Sequence, residues 1–309
     1  MASSENLPRH LLGIDALDDD KLHALIDRAG ALAKGAAPRQ IDRTVANLFF
    51  EPSTRTRVSF EIAAGRLGMR VINIELNRSS ASKGESLEDT AATLAAMGVH
   101  CLVLRHPETG RPHALAETLA SSMHLLNAGD GVGEHPSQAL LDAATLAAAG
   151  LAWKDMKLAI VGDIRHSRVA GSGIPLFQRL GVAELRLAGP PHLLPDELAG
   201  RGVKICRRLE EAVADVDVVM MLRVQRERMD AAGWPDPAAY HRDWGLRPEH
   251  LALAAPNCRV MHPGPINRGM EICAAVADGP QSLILDQVRM GVFARMAIFE
   301  WLFAKGQGQ

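Results

Sequence analysis

Apolar positions along the chain alternate between two spacings. From Asp18 to Lys34, Leu22, Leu25, Ile26, Ala29 and Leu32 recur every three or four residues, the period of one helix face, and Gly35 is a stop signal. A continuous apolar run over 45–50 follows, as expected of a parallel strand with both faces covered. The pattern then predicts a helix over 56–67 closed by Gly68, a strand over 69–75, a Ser/Gly-rich loop over 77–86 and a helix over 87–97. It continues with a strand over 99–104, a helix near 113–121, a strand over 123–127, a Gly-rich loop over 129–134 and a helix over 136–149. Gly150 and the stretch 151–156 interrupt the alternation. It restarts with a strand over 157–162, a helix over 168–180, strands over 183–188 and 203–207, a short helix over 209–214 and a strand over 217–222. A polar, proline-containing stretch over 223–248, a strand over 258–262 and an amphipathic helix over 282–304 complete the pattern.

Two β/α halves of similar size predict an α/β fold of two doubly wound, mainly parallel-sheet domains with the active site between them. The domains are expected at 1–149 and 150–281, with the segment 282–309 crossing back to join the first. The length of 309 residues agrees, because one compact core rarely grows that large.

Composition narrows the function classes. An apolar fraction of 47% excludes disorder as the dominant state. With 34 Lys+Arg against 36 Asp+Glu, the net charge is −2, which argues against a nucleic-acid binder. Any anion site must therefore come from locally concentrated arginine and lysine. No apolar stretch is long enough to span a membrane, and the first residues lack the pattern of a signal peptide. Cys101, Cys206, Cys258 and Cys273 are widely spaced with no C-x-x-C pair, as expected of reduced, buried thiols in a cytoplasmic protein.

In open α/β sheets, ligands bind beyond the carboxyl ends of the strands. Six strand ends here carry Arg, His, Gln, Ser or Thr: 51–57 (EPSTRTR), Arg105–His106–Pro107, 129–138 (ending HPSQ), 163–168 (DIRHSR), 223–228 (RVQRER) and 262–269 (HPGPINRG). Scattered surface polarity would not sort that way. Ser53, Thr54, Arg55 and Thr56 stand where a strand turns into a helix, whose free N–H groups attract an anion. Arg55 adds a permanently charged two-pronged donor suited to phosphate. No Walker loop and no G-x-G-x-x-G fingerprint is present, which excludes those nucleotide modes. His135 follows a Gly-rich turn, where an imidazole can donate to a developing oxyanion. Arg168 opens a helix and is placed to meet a carboxylate. Arg223 and Gln225 fall on one side of an extended segment.

Together the segments 49–61, 80–90, 135–142, 162–168, 222–228 and 261–269 resemble the transcarbamoylase family, in family order along the whole chain. RVQRER and HPGPINRG are similar to the aspartate-using branch, and the H-C-L-P and S-M-G segments usual in ornithine-using members are absent. The resemblance implies transfer of the carbamoyl group of carbamoyl phosphate to the α-amine of L-aspartate, as in pyrimidine biosynthesis, with no metal and no organic cofactor. It assigns Ser53, Thr54, Arg55, Thr56 and Arg105 to carbamoyl phosphate, and His135 and Gln138 to its carbamoyl end. Arg55, Thr56, Arg105 and His135 would carry the catalysis. Lys83, Arg168, Arg223, Gln225, Gly264 and Pro265 would bind aspartate. Ser79 and Lys83 would reach in from a neighbouring subunit of a homotrimer, with regulatory or dihydroorotase-like chains as candidate companions. Glu51 and Arg228 match residues that link the two domains in relatives. Gly264 departs from relatives that carry leucine there.

Overall fold

The computed structural model describes residues 10–74, 84–119, 123–229 and 233–304. The chain divides into two compact units, Met1–Ala144 with Arg289–Gln309 and Thr145–Val288. The division falls inside helices α5 (Pro136–Ala148) and α11 (Ile284–Leu302).

The first unit is built on a five-stranded sheet, all parallel: β1 (His10–Leu11), β5 (His124–Asp130), β4 (Cys101–His106), β2 (Thr44–Phe49) and β3 (Arg70–Ile74), in that spatial order. Helices α1 (Asp19–Ala33), α2 (Thr54–Arg66), α3 (Leu87–Ala96) and α4 (Arg111–Thr118) belong to it. The chain runs outward from β2 to β3 and then returns to lie on the other side of β2 as β4. Strand order thus reverses between β2 and β4, the place where a doubly wound sheet receives its ligand at the carboxyl ends. Ala46, Leu48, Leu102, Leu104 and Leu125 pack in the core. Fully burying one such leucine contributes about 1.5–3 kcal/mol.

The second unit repeats the scheme with β10 (Arg259–Met261), β9 (Val218–Met221), β6 (Lys157–Val161), β7 (Glu184–Ala188) and β8 (Lys204–Cys206), again all parallel. Its helices are α6 (Arg168–Arg179), α7 (Leu209–Val213), α8 (Pro237–Trp244), α9 (Pro248–Leu251) and α10 (Ala274–Ala277). The order reverses between β6 and β9. Gly162, just past β6, has φ +131°, and a Cβ there would lie 2.6 Å from the Leu222 carbonyl oxygen. Only glycine lets these two strand ends approach so closely.

Among the departures from the periodicity, three bear on the strand ends and loops. Helix α2 begins at Thr54, two residues before the expected start, because Thr54 and Arg55 face out and add nothing to the apolar stripe. Strand β4 continues through Arg105 and His106, which were expected in a loop. Arg105 is in register with Phe49, its carbonyl accepts from Phe50 N at 2.8 Å, and the pairing with β5 shifts between Leu104 and His106. Such a bulge re-aims a side chain at a strand end. The polar stretch 223–248 contains α8, started by the Asp236 side chain accepting from Ala239 N. Tyr240 alone of its residues is buried, so it shows no apolar period.

Among the described residues, no helix is long and apolar enough to cross a membrane. All four cysteines are free thiols. Cys101, Cys206 and Cys258 are buried, and Cys273 is partly so.

Candidate active site

In the first unit, β2, β4 and β5 lie side by side, so the segments that follow them converge. Ser53 caps α2 in an extended conformation with no hydrogen bond from its side chain to the helix. Its hydroxyl is therefore not spent on the helix start, unlike that of Ser86, which accepts from Asp89 N at the start of α3. Thr54 and Arg55 are exposed in the first turn, while Thr56 is buried. Across the reversal point, Arg105 Nε lies 3.3 Å from Glu51 Oε2, and Arg105 Nη1 donates to the Ala128 carbonyl at 3.3 Å. The guanidinium is thus held between Glu51, in the turn that leads from β2 to α2, and the β5 backbone.

The segment after β5 is folded around a buried acid. Asp130 accepts from Glu134 N at 2.6 Å and Gly110 N at 2.8 Å. Asn127 donates to the Leu12 carbonyl and accepts from Gly129 N. This turn delivers His135, whose carbonyl accepts from Gln138 N and Ala139 N at the start of α5. Both His135 and Gln138 are buried, and Gln138 Nε2 donates to Asp142 Oδ1 at 2.9 Å.

In the second unit, β6, β9 and β10 are adjacent, and a buried carboxylate ties the first two loops together. Asp163 accepts from His166 N at 3.2 Å and His166 Nδ1 at 2.9 Å, and its second oxygen accepts from Gln225 N at 3.0 Å. Arg168 is buried as the first residue of α6, behind the Ser167 cap that accepts from Ala170 N. Arg223 donates from Nη2 to Gln225 Oε1 at 2.7 Å and from both terminal nitrogens to the Glu227 carboxylate. Partial burial pushes the Glu227 carboxyl upward, but hydrogen bonds led by that from Arg223 outweigh it and hold the group below its usual range. Arg228 donates to the His166 carbonyl at 2.9 Å. The loop after β10 turns on Gly264, which has φ +67°. Its N–H donates to His262 Nδ1, so the other ring nitrogen carries the proton and faces Glu271 Oε1 at 3.2 Å. That carboxylate also accepts from Asn267 N at 2.6 Å.

The expected residues thus fall into two sets. Ser53, Thr54, Arg55, Thr56, Arg105, His135 and Gln138 gather on the first unit, and Arg168, Arg223, Gln225, Gly264 and Pro265 on the second. Ser79 and Lys83 lie outside the described residues. Glu51 contacts Arg105 and Arg228 contacts His166, each within its own unit. The sequence reading gave no role to Asp130, Asp163 or Glu271, the buried acids that shape the loops, or to Asp142, which accepts from Gln138 within α5. Among the described residues, no group of three or more His, Cys, Asp or Glu side chains is placed to hold a metal ion.

Two parallel α/β units with donor-rich segments at their strand ends fit a two-substrate enzyme of anionic ligands. Residues 9–148 match the carbamoyl-phosphate-binding domain of the aspartate/ornithine carbamoyltransferases, and residues 154–302 match the aspartate/ornithine-binding domain. The aspartate transcarbamoylase of Trypanosoma cruzi, in complex with N-(phosphonacetyl)-L-aspartic acid, is 32% identical with a TM-score of 0.85, over 96% of each chain. The same enzyme with carbamoyl phosphate and aspartate is 30% identical with a TM-score of 0.83, over 95% of this chain and 96% of that one. The ornithine carbamoyltransferase of Gloeobacter violaceus is 27% identical with a TM-score of 0.81, over 97% of this chain and all of that one. The chain belongs to the aspartate/ornithine carbamoyltransferase family of enzymes.

Proposed function

We propose that this chain transfers the carbamoyl group of carbamoyl phosphate to the α-amine of L-aspartate, giving N-carbamoyl-L-aspartate and phosphate, a step of pyrimidine biosynthesis. The carrying observation is the polarity of the Arg223–Gln225 pair. Arg223 donates to the amide oxygen of Gln225, so the Gln225 amide nitrogen is left to donate elsewhere, beside a guanidinium that can only donate and that already holds one carboxylate, that of Glu227. Two donors side by side suit the side-chain carboxylate of aspartate. They repel the side-chain ammonium of ornithine. The segments 162–168 and 222–228 reinforce this, with five arginines against two carboxylates.

The first unit would hold carbamoyl phosphate. Its phosphate carries about two negative charges, and it would meet the hydroxyls and free N–H groups at the start of α2, together with Arg55 and Arg105. The carbamoyl end would lie against His135 and Gln138. As the amine attacks the carbamoyl carbon, charge develops on the carbonyl oxygen, and Thr56, Arg105 and His135 would stabilise it. Phosphate then leaves with its electron pair, and the nitrogen gives up a proton that the departing phosphate takes up. Holding both substrates together supplies much of the rate, because it removes the entropy cost of their encounter. Arg168, Arg223, Gln225 and the Gly264–Pro265 turn would hold aspartate. By resemblance, Ser79 and Lys83 would act in a neighbouring subunit of a cytoplasmic homotrimer.

The test is to supply carbamoyl phosphate with aspartate or ornithine and measure carbamoyl-aspartate and citrulline. Carbamoyl-aspartate is expected. Citrulline alone would overturn the acceptor assignment and leave the family intact.

A further inference from the structure

We propose that Asp142 and Arg295 fix the orientation of the Gln138 side-chain amide, so that its carbonyl oxygen rather than its nitrogen is presented to the amine of the carbamoyl group. The proposal deepens the reading above and rests on the assignment of Gln138 to that group. Gln138 and Asp142 stand four residues apart on α5, hence on one face. Gln138 Nε2 donates to Asp142 Oδ1 at 2.9 Å. A carboxylate accepts hydrogen bonds and donates none, so the amide nitrogen must face it and Oε1 must face away. A carbamoyl nitrogen bears two protons and needs acceptors. The orientation set by Asp142 supplies one.

The orientation holds only while Asp142 stays ionised, and Asp142 is fully buried. A buried carboxylate without a counter-charge takes up a proton. As an acid it would donate to Oε1 and turn the amide round. Arg295, from α11, supplies the counter-charge. It is itself buried, and its Nη1 donates to the Gly291 carbonyl at 2.9 Å. Its Nη2 donates to Ser137 Oγ at 3.4 Å, and its guanidinium lies 4.8 Å from the centre of the Phe60 ring. Its Nε makes no hydrogen bond. Burial pushes the guanidinium down to about 10, and the charge of Asp142 opposes that shift. A cation held this far from water, beside Ser137 and against an aromatic face, is an expensive way to fill space. The charge of Asp142 offsets part of that cost.

The experiment compares the full-length protein with Gln138→Ala, Arg295→Met and the double variant Asp142→Leu/Arg295→Met. The double variant removes both charges at once, a change that buried ion pairs often tolerate when apolar groups of similar size replace them. Equilibrium binding is measured for inorganic phosphate, acetyl phosphate and carbamoyl phosphate. Acetyl phosphate carries a methyl group where carbamoyl phosphate carries the amine. The unaltered protein should prefer carbamoyl phosphate, and Gln138→Ala should abolish most of that preference. The double variant should lower the preference about fivefold, the cost of ordering a freed glutamine, with phosphate binding unchanged. Arg295→Met, which leaves Asp142 to take up a proton and turn the amide round, should lower the preference at least as far. If circular dichroism shows that this single variant does not fold, the double variant decides. A parallel loss for all three ligands would mean that the pair only supports the fold and would overturn the proposal. A retained preference in the double variant, with loss in Gln138→Ala, would overturn it and leave the Gln138 assignment standing. A retained preference in Gln138→Ala would overturn both.

Discussion

Replacing Asp163 by alanine tests whether the segments after β6 and β9 act as one receptor for the acceptor substrate. The carboxylate is fully buried and takes three hydrogen bonds, two from His166 and one from Gln225 N. A hydrogen bond to an ionised group contributes about 1.5–3 kcal/mol. The donors are partly buried, so water recovers part of each bond when the carboxylate is removed. The His166 ring can turn to find another partner, whereas the two backbone donors cannot. Counting those two at about 1 kcal/mol each gives about 2 kcal/mol of lost loop order. That is about thirtyfold in an equilibrium constant. Steady-state kinetics with varied aspartate at saturating carbamoyl phosphate should therefore show kcat/KM down about thirtyfold. Binding of carbamoyl phosphate alone should change by no more than about twofold, the usual coupling between independent sites. A loss in aspartate use below about threefold would refute the idea that Asp163 orders these loops. An equal loss in carbamoyl phosphate binding would refute the assignment of the two substrates to separate units.

Arg55→Ala should abolish nearly all turnover with an unchanged circular dichroism spectrum, a loss of about 2–5 kcal/mol for a charge-assisted contact; near-normal turnover would remove the phosphate assignment. Arg223→Ala should impair aspartate use far more than carbamoyl phosphate binding measured by calorimetry. Mixing inactive Lys83→Ala chains with inactive Arg55→Ala chains should restore part of the activity, because some shared sites would carry both intact residues; a fully active monomer in sedimentation would rule this out. Burial pushes the Cys258 thiol up to about 12 and raises Cys101 further. Both should resist a thiol reagent at neutral pH until the chain is unfolded, which mass spectrometry of the labelled peptides reads directly.

The fold was legible because both sheets are parallel. Strands covered on both faces read as unbroken apolar runs, and the helices between them keep their stripe. The candidate site was legible for a related reason: a parallel sheet puts its polar cargo at one end of every strand, so the residue that breaks an apolar run is the residue to inspect. Arg55, Arg105, His135 and Arg223 all follow such a break. The acids that shape the loops gave no such signal. Asp163 follows a run too, but its partner Gln225 N lies 62 residues away and is brought near only because β6 pairs with β9. Asp142 sits one turn inside an apolar helix and reads as a stray charge. Its significance depends on Arg295, which belongs to the last helix. Sequence periodicity reports which face of an element is buried. It does not report which distant element covers that face.

The two units use the same chemical device with opposite sign. In the second, Arg223, which can only donate, takes the oxygen of Gln225 and leaves a nitrogen that, in the proposed function, would meet a carboxylate. In the first, Asp142, which when ionised can only accept, takes the nitrogen of Gln138 and leaves an oxygen that, in the proposed function, would meet an amine. A primary amide alone has no fixed polarity, because a half-turn exchanges its donor and acceptor at little cost. A fixed charge one hydrogen bond away makes the two orientations unequal. This predicts a signed result for charge reversal at the acceptor site. Arg223→Glu places an acceptor where a donor stood, so the Gln225 amide should turn its nitrogen inward and its oxygen outward. Binding of aspartate should then fall further than in Arg223→Ala, since the variant removes a cation, adds an anion and inverts its neighbour. If Arg223→Glu and Arg223→Ala prove equal in calorimetric titrations of aspartate in the presence of phosphate, the amide of Gln225 is not under the control of residue 223.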